Sequence, residues 1–266
     1  MITLDLNNRS VDFRPFSDLG DLAQAATGLR ERSASWAGAT REEAQARAVG
    51  GNLDLVARAD CLLDKIETDL DLAGLERQSV PALAGGAPCV PAMLAGHPLT
   101  MRARRPASTP AGELTILASL FISAGISHDV IARRGAAALA LVRAVSLVRP
   151  VRLVVFSPSD GAAGRSVILS APIETAPLDL ARAAWALTAP ELLRQLCIPI
   201  EDAMLGDDYA GGQPFTGDAG AALAGILGAE SYLALPDLKI SNSTSFKTDS
   251  AALAWLTENL AQAQIA

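Results

Sequence analysis

Hydroxyl and carboxyl side chains follow two apolar runs of the chain, at the points where the runs 114–122 and 151–156 end. In open parallel sheets, ligands bind beyond the carboxyl ends of the strands. Oxygen donors grouped at such an edge suit a hard cation or a polar partner. The candidate binding residues of this kind are Ser123, Ser127, Asp129, Ser157, Ser159 and Asp160.

A second candidate group is basic and consists of Arg102, Arg104 and Arg105. They lie between two prolines in a stretch with neither a helical nor a strand period, which predicts an exposed loop. Such a run is either a solvated charged loop or a contact for phosphate or an acidic partner. Binding of nucleic acid there would require these arginines to join Arg133 and Arg134 in one basic patch. The net charge of −7 and the pI near 4.9 argue against a general affinity for nucleic acid, which needs clustered Lys and Arg.

Other patterns of catalytic residues are absent from the sequence. The two histidines, His97 and His128, match no metal-binding spacing, and the three cysteines are far apart. Ser127, His128 and Asp129 are consecutive, so their side chains point in different directions rather than converging as a triad. No GxSxG elbow is present. The sequence therefore predicts no catalytic residue, no metal and no cofactor.

The cysteines and the longest apolar runs predict the compartment. An odd number of cysteines cannot pair fully, which favours reduced thiols. The first residues contain no apolar signal segment. The longest uncharged runs are interrupted by prolines or are shorter than the roughly 20 residues that a spanning helix needs. We therefore expect a cytoplasmic protein that does not associate with a membrane.

One strand, helix, strand unit would position the strand-end residues. The runs 114–122 and 151–156 have the pattern of strands that are buried on both faces, and 129–148 has the period of an amphipathic helix. Pro150 ends that helix. A connection of this kind is parallel and right-handed. The unit predicts an α/β fold in which the two strands are parallel neighbours.

The chain divides into three predicted parts. Residues 1–76 have mainly helical patterns after a short opening strand. Residues 77–112 are rich in Pro, Gly and Ala and form a connector, which holds a short helix around Val90 to Leu94. Residues 113–266 form the α/β core domain.

Local signals predict several further elements. Thr40 and Glu43 have the spacing of a capping box, in which each side chain satisfies a free backbone N–H of the other residue, so a helix starts there. A turn over 157–165 leads to a strand over 166–173, as a hairpin. The remaining predicted elements are helices over 179–187, 189–205 and 221–227, a strand over 231–235 and a terminal helix over 249–263.

The strand, helix, strand unit also resembles a known family. Its segments FISAGIS, GAAALALVRAV and RLVVFSPS resemble the first third of a von Willebrand factor A domain. That family carries Asp-x-Ser-x-Ser at this strand end, where it holds a divalent cation. Aligned on Ser123, the Asp position is Phe121 and the second Ser position is Gly125. The resemblance implies a Rossmannoid fold, a parallel or mixed sheet flanked by helices, with a degenerate cation site. The alternative is that Ser123 or Ser127 has no role in a cation site and caps the N-terminus of the helix.

A longer set of segments resembles an uncharacterised family of tailed-phage and prophage proteins. The segments span roughly residues 36–260 and are SWAGATREEAQ, AMLAGHPLTM, FISAGIS, RRGAAALALVRAV, APLDLARAAWAL and YLALPDLK. This resemblance implies a phage or prophage origin and an accessory role in the host cytoplasm. That family has no known catalytic residues, so the resemblance assigns none to this chain.

Three hypotheses about function follow from these residues. The first is a non-enzymatic phage or prophage accessory protein that binds an unknown host or phage protein. Its partner face would be the strand-end loops 123–127 and 157–164, bordered by the Arg102–Arg105 loop. The second is a metal-dependent binding protein or hydrolase, and the third is nucleic-acid binding through the arginine loop. The sequence sets no oligomeric state. The residues of the second hypothesis are Ser123, Ser127, Asp129 and Asp160.

Overall fold

Two β-sheets organise the chain, one with six strands and one with three. The strands are β1 (Ile2–Leu6), β2 (Arg9–Pro15), β3 (Arg77–Ala82), β4 (Ala87–Pro88), β5 (Met101–Pro106), β6 (Leu114–Ser119), β7 (Val151–Asp160), β8 (Arg165–Ile173) and β9 (Tyr232–Leu235). The structure is a computed structural model, and it describes residues 2–6, 9–57, 60–61, 64, 77–82, 87–106, 112–123, 125–146, 149–161, 164–206, 214–239 and 243–265.

Helices flank the six-stranded sheet, which confirms a mixed α/β fold. In the predicted N-terminal helical part, residues 53–57 form a helical segment in addition to the helices named next. Most of the residues from 58 to 76 lie outside the described residues. The helices are α1 (Leu19–Ala25), α2 (Ala34–Ala37), α3 (Arg41–Gly50), α4 (Val90–Leu94), α5 (His128–Ser146), α6 (Leu180–Thr188), a π-helix (Leu192–Cys197), α7 (Ile198–Leu205), α8 (Ala219–Leu227), a 3-10 helix (Ser243–Phe246) and α9 (Asp249–Ile265).

The predicted strand, helix, strand unit forms as expected. β6 and β7 are parallel neighbours, with Leu114 opposite Val151, and α5 connects them. β6 ends at Ser119, three residues earlier than predicted, whereas β7 continues to Asp160. Because the added residues of β7 pair antiparallel with β8, they belong to the predicted hairpin rather than to its turn.

The six-stranded sheet is mixed, with the strand order β1-β2-β8-β7-β6-β9. β2 pairs with β8 in parallel, and β9 pairs with β6 in parallel. The N-terminal strands therefore share a sheet with strands from the predicted core domain. α1 and α3 pack on the same hydrophobic core as α5 and α6, with Trp185 completely buried at its centre.

Small residues set the spacing between α5 and α6. A Cβ atom built on Gly135 would lie 2.3 Å from Thr188 Cγ2 and 2.7 Å from the carbonyl oxygen of Leu187. Real Cβ atoms do not approach other heavy atoms so closely, so only glycine fits here. All the alanines of α5 are buried, and so are those of α6 except Ala181. The Ala-rich composition thus has a packing role at this position.

Local helix signals account for α3 and for the helical segment after α6. Thr40 and Glu43 form the predicted capping box, and the helix ends with Gly51 as its C-cap. The predicted helix over 189–205 is a π-helix followed by α7. Pro199 has no N–H to donate, and its ring conflicts with the carbonyl of residue i−4 in a regular helix. The wider turns of the π-helix before Pro199 relieve that conflict.

The predicted connector contains the second sheet, in the order β3-β5-β4, with antiparallel pairing throughout. Arg102, Arg104 and Arg105 lie on β5, so the prediction of a loop there is wrong. β5 has a partner on each side, and backbone pairing requires no alternation of apolar side chains. The short helix predicted around Val90 to Leu94 is α4.

Candidate functional site

The residues predicted at the end of β6 lie in the loop before α5. Ser123 is half-buried, and its backbone N–H donates to the carbonyl of Leu238 at 2.9 Å. Ser127 and Asp129 are exposed. The carbonyl of Ser127 accepts the N–H of Ile131, so Ser127 begins the helix through its backbone. These contacts position the loop, and they join none of the three side chains to another.

A different polar cluster lies at the carboxyl ends of β6 and β9. The Ser119 hydroxyl donates to Asp237 Oδ1 at 2.5 Å. Arg134 is buried, and it donates to the carbonyls of Ser119 and Pro236 at 2.8 and 2.9 Å. Burial lowers the pKa of Arg134 to about 10, and the Asp237 carboxylate opposes that shift. The cluster joins β6 to β9, so its role is structural.

Sequence reasoning missed this cluster for identifiable reasons. Ser119 lies inside an apolar run, and Arg134 lies among the alanines of a helix. The only usable signal was Asp237, which comes two residues after the last predicted strand. A carboxylate in that position belongs to the same strand-end pattern that singled out Asp160.

The serines predicted at the end of β7 are internal. Ser157 and Ser159 are buried within the strand, and the Ser157 hydroxyl donates to the buried carboxylate of Glu201 on α7. Burial raises the pKa of the nearby Cys197 thiol well above its ordinary value, and the charge of Glu201 raises it further. The prediction that these serines belong to an exposed partner face is therefore wrong. The Ser157 hydroxyl is needed inside because the Glu201 carboxylate is buried as well.

Asp160 serves the hairpin between β7 and β8. Its carboxylate accepts the Ser166 hydroxyl at 2.7 Å and the backbone N–H of Thr216 at 2.8 Å. No hydrogen bond within the described residues joins Asp160 to Ser123 or Ser127. In the same part of the chain, no three His, Cys, Asp or Glu side chains form a group suited to a metal ion.

Arg133 and Arg134 are both engaged within the body of the protein. Arg133 Nε pairs with Asp249 at 3.0 Å, and its Nη1 donates to the carbonyl of Lys247 at 2.9 Å. Arg134 is only 2% exposed. The single basic patch that nucleic-acid binding would require therefore lacks Arg134.

The three-stranded sheet and its connections carry a charge opposite to that of the rest of the chain. Residues 77–112 contain four arginines and no Asp or Glu, a charge of +4. Because the whole chain carries −7, the remaining residues carry −11. β5 holds three of the arginines in four residues, and Arg102 lies opposite Ala87 and Pro81 of the neighbouring strands. A basic segment thus interrupts an acidic protein.

Helix α4 presents apolar side chains within this basic segment. Val90, Met93 and Leu94 are 57%, 55% and 84% exposed, and no residue of the helix is buried. Their spacing of three and four residues places them on one face of the helix. A hydrogen bond from the Cys89 N–H to the carbonyl of Thr100, at 2.8 Å, holds the start of the helix beside the strand that follows it. This face, with the neighbouring strand β5 whose sequence is basic, is the candidate site, here called the α4–β5 surface.

One family model matches this chain, that of a domain of unknown function, DUF7192, over residues 6–253. No curated protein and no solved structure matches the chain. The matched range contains the three-stranded sheet and all of the six-stranded sheet except most of β1, so the α4–β5 surface lies within the family domain. No helix in the described part of the chain is both long and apolar enough to cross a membrane.

Proposed function

We propose that this chain, which belongs to the DUF7192 family of domains of unknown function, is a non-enzymatic binding protein that contacts a partner protein through its α4–β5 surface. The observation that carries the proposal is the apolar face of α4, on which three large side chains are exposed together. The partner would have an apolar groove with an acidic rim.

The exposed face of α4 supplies the apolar part of the interaction. Single apolar residues are common on protein surfaces, but a group of them on one face marks an interaction site. An amphipathic helix binds a groove through anchors at positions i, i+3 and i+4, the spacing of Val90, Met93 and Leu94. Burying one such side chain contributes about 1.5–3 kcal/mol, so three of them would form the centre of an interface.

The charge of the segment indicates the chemistry of the partner. Residues 77–112 carry +4, whereas the rest of the chain carries −11. An acidic partner is therefore attracted to the basic segment and repelled by the rest of the protein, which orients the encounter. The guanidinium group of arginine also suits bidentate pairing with carboxylates.

The proposal also includes the origin of the protein and its cellular compartment. The resemblance to tailed-phage and prophage proteins across roughly residues 36–260 supports a phage or prophage accessory protein, with a host or phage protein as its partner. The odd number of cysteines, which cannot pair fully, supports the reducing host cytoplasm. The parallel β6, α5, β7 unit supports a von Willebrand factor A-like core whose cation site has degenerated.

Site-specific photo-crosslinking in host lysate tests the proposal. A photoreactive residue at position 94 should capture one acidic protein, which mass spectrometry identifies. The same residue at position 53 is the matched control, because Leu53 is also highly exposed, at 77%, but lies outside the basic segment. The captured protein is then purified and titrated with the wild-type chain.

The titration has defined outcomes. Leu94→Ser should weaken binding about 10- to 100-fold, the loss of one apolar anchor, whereas Leu53→Ser should leave it unchanged. Arg102→Glu with Arg104→Glu should weaken binding and reduce its salt dependence. Equal capture from positions 94 and 53 would contradict the proposal. So would Leu94-dependent binding to a DNA duplex or to phosphatidylserine vesicles with no protein captured, because nucleic acid or membrane would then be the partner.

A further inference from the structure

We propose that a cleft at the edge of the six-stranded sheet binds a short peptide through its free amino and carboxyl termini. The cleft has a volume of about 770 Å³. It lies where β2 and β8 end and where β6 and β7 begin, away from all the strand-end residues that the sequence singled out. The inference is independent of the α4–β5 surface.

The position of the cleft is the one that open sheets use for ligands. β2 and β8 run parallel, so their carboxyl ends meet at one edge of the sheet. The residues that follow them, Ser17 and Asp18 after β2 and Glu174 and Thr175 after β8, all line the cleft. Ligands bind beyond the carboxyl ends of strands in such sheets. The sequence patterns pointed to the opposite edge, because β7 is antiparallel to β8.

The charged side chains around the cleft are balanced in sign. Its lining includes three carboxylates and three guanidinium groups, so it has no net charge that would select a purely anionic or cationic ligand. Four of the six groups have bonds within the protein. Asp18 accepts the Asp21 N–H, Glu174 accepts the Ala176 N–H, Arg149 donates to the Gly112 carbonyl, and Arg182 donates to the Val49 carbonyl.

The other two charged groups are Glu113 and Arg152. Neither has a hydrogen bond or an ion pair through its side chain within the described ranges. They belong to neighbouring strands, since Arg152 lies opposite Thr115, two residues after Glu113. Arg152 is half-buried and Glu113 is exposed. A ligand with a carboxylate deep in the cleft and an ammonium group at its mouth satisfies both.

The volume limits the size of that ligand. Small-molecule sites have volumes of about 300–1,000 Å³, so this cleft accommodates a molecule much larger than a single ion. The apolar residues Leu19, Pro150, Pro172 and Ile173 also line it and offer contacts for side chains between the two charged ends. A zwitterion that fits this volume and has an apolar middle is a peptide of a few residues.

Calorimetry with tri-alanine tests the inference on the chain of 266 residues. Saturable binding is expected at millimolar or lower concentration. N-acetylated tri-alanine and tri-alanine amide should each bind at least about tenfold more weakly, because each lacks one charge-assisted bond worth at least about 1.4 kcal/mol. Arg152→Gln should bind the free peptide and its amide equally. Glu113→Gln should bind the free and acetylated peptides equally.

Matched controls and a second variant make the test decisive. Lys247→Gln and Glu258→Gln remove exposed charges outside the cleft and should leave the affinity unchanged. If Arg152→Gln does not fold, Arg152→Lys should retain part of the selectivity for the free carboxylate. Absence of saturable heat up to about 10 mM tri-alanine, well above the 1 mM that corresponds to about −4.1 kcal/mol, would overturn the inference. Equal affinity for the blocked peptides would also overturn it.

Discussion

The six-stranded sheet and the α4–β5 surface differ in which side chains they bury: polar groups are buried around the sheet, whereas large apolar side chains are exposed on α4. Around the main sheet, many polar groups are buried with partners, as in the bond from Ser157 to Glu201 and the bond from Trp185 Nε1 to Glu191 at 3.0 Å. On α4, in contrast, Leu94 is 84% exposed. Under the function proposed above, the face of α4 is the part of the molecule that contacts another molecule, whereas the polar groups of the main sheet contribute to its own stability.

The two regions also differ in how their charged residues are paired. Charged residues in the core are few and are held by specific bonds, such as the two carbonyls that Arg134 contacts. The basic segment 77–112 instead concentrates four arginines without a single acidic residue to pair with them in sequence. Like charges close together destabilise a folded segment unless something opposes them. An acidic partner would provide that opposition.

A large effect is expected in the core, where α5 meets α6. Gly135→Ala should lower the free energy of unfolding by about 3 kcal/mol, because the new methyl group overlaps Thr188 and the Leu187 carbonyl. Gly50→Ala is the control, since a Cβ atom at Gly50 meets nothing within 4 Å. Urea unfolding measures both. A neutral result for Gly135→Ala would mean that the two helices are not in close contact.

A smaller loss is expected from a buried polar group. Ser157→Ala should lower the free energy of unfolding by about 1.5–3 kcal/mol, because the buried Glu201 carboxylate loses a donor. Ser123→Ala, at the other predicted strand end, should change it by less than about 0.5 kcal/mol, since Ser123 bonds through its backbone. Urea unfolding of the pair checks the assignment. Equal losses would show that the two strand ends are equally structural.

The third effect depends on pH and concerns the pairing of β1, β2 and β8. Asp12 accepts the Thr3 hydroxyl at 2.8 Å and Arg165 Nη2 at 3.0 Å. The hydrogen bond from Thr3, supported by Arg165, holds the pKa of Asp12 below its ordinary value. A carboxylate whose pKa is lowered by folding stabilises the protein above its unfolded pKa of about 3.9 and loses that contribution as the pH falls through its folded pKa.

Asp12→Asn tests that dependence. The variant should be about 1 kcal/mol less stable than the wild type at pH 7, the value of a typical hydrogen bond. The difference should stay constant down to about pH 5 and then shrink as the pH falls below about 4. Thermal unfolding at a series of pH values measures it, with Asp54→Asn as an exposed control. A difference that grows on acidification would contradict the lowered pKa.

The smallest effect on stability is expected on α4. Leu94→Ser should change the free energy of unfolding by less than about 0.5 kcal/mol, because the side chain is already in water. Leu139→Ala, at a completely buried position of α5, should lower it by about 2–5 kcal/mol. If Leu94→Ser destabilised the chain as strongly as a core substitution, α4 would be packed against the protein and the surface would not be free for a partner.

The sequence alone was sufficient for elements whose signals are local. The buried-strand runs and the helical period between them predicted β6, α5 and β7 and their parallel pairing. The spacing of Thr40 and Glu43 predicted the start of α3. In each case the deciding contacts join residues close together in the chain, or follow from the handedness of the backbone.

The candidate sites depended on long-range contacts, which no local pattern contains. Ser157 and Ser159 had the pattern of a turn, but the pairing of β7 with β8 and the position of Glu201 bury them. Arg102 had the pattern of a loop, but pairing with β3 and β4 makes that segment a strand. Strand pairing is set by partners elsewhere in the chain, so it overrides the preference of the segment itself.

The cleft depends even more strongly on contacts between distant segments of the chain. Its lining comes from separate parts of the chain, namely residues 17–19, 113, 146, 149–152, 172–176 and 182. Each segment alone is an ordinary strand end or helix start, and no spacing along the chain relates Glu113 to Arg152. The residue types and the local elements were determined by the sequence itself. Which side chains share a surface, and which charges remain without a partner, was decided only by the packing of distant segments against one another, because burial and Coulomb interactions depend on distance in space rather than along the chain.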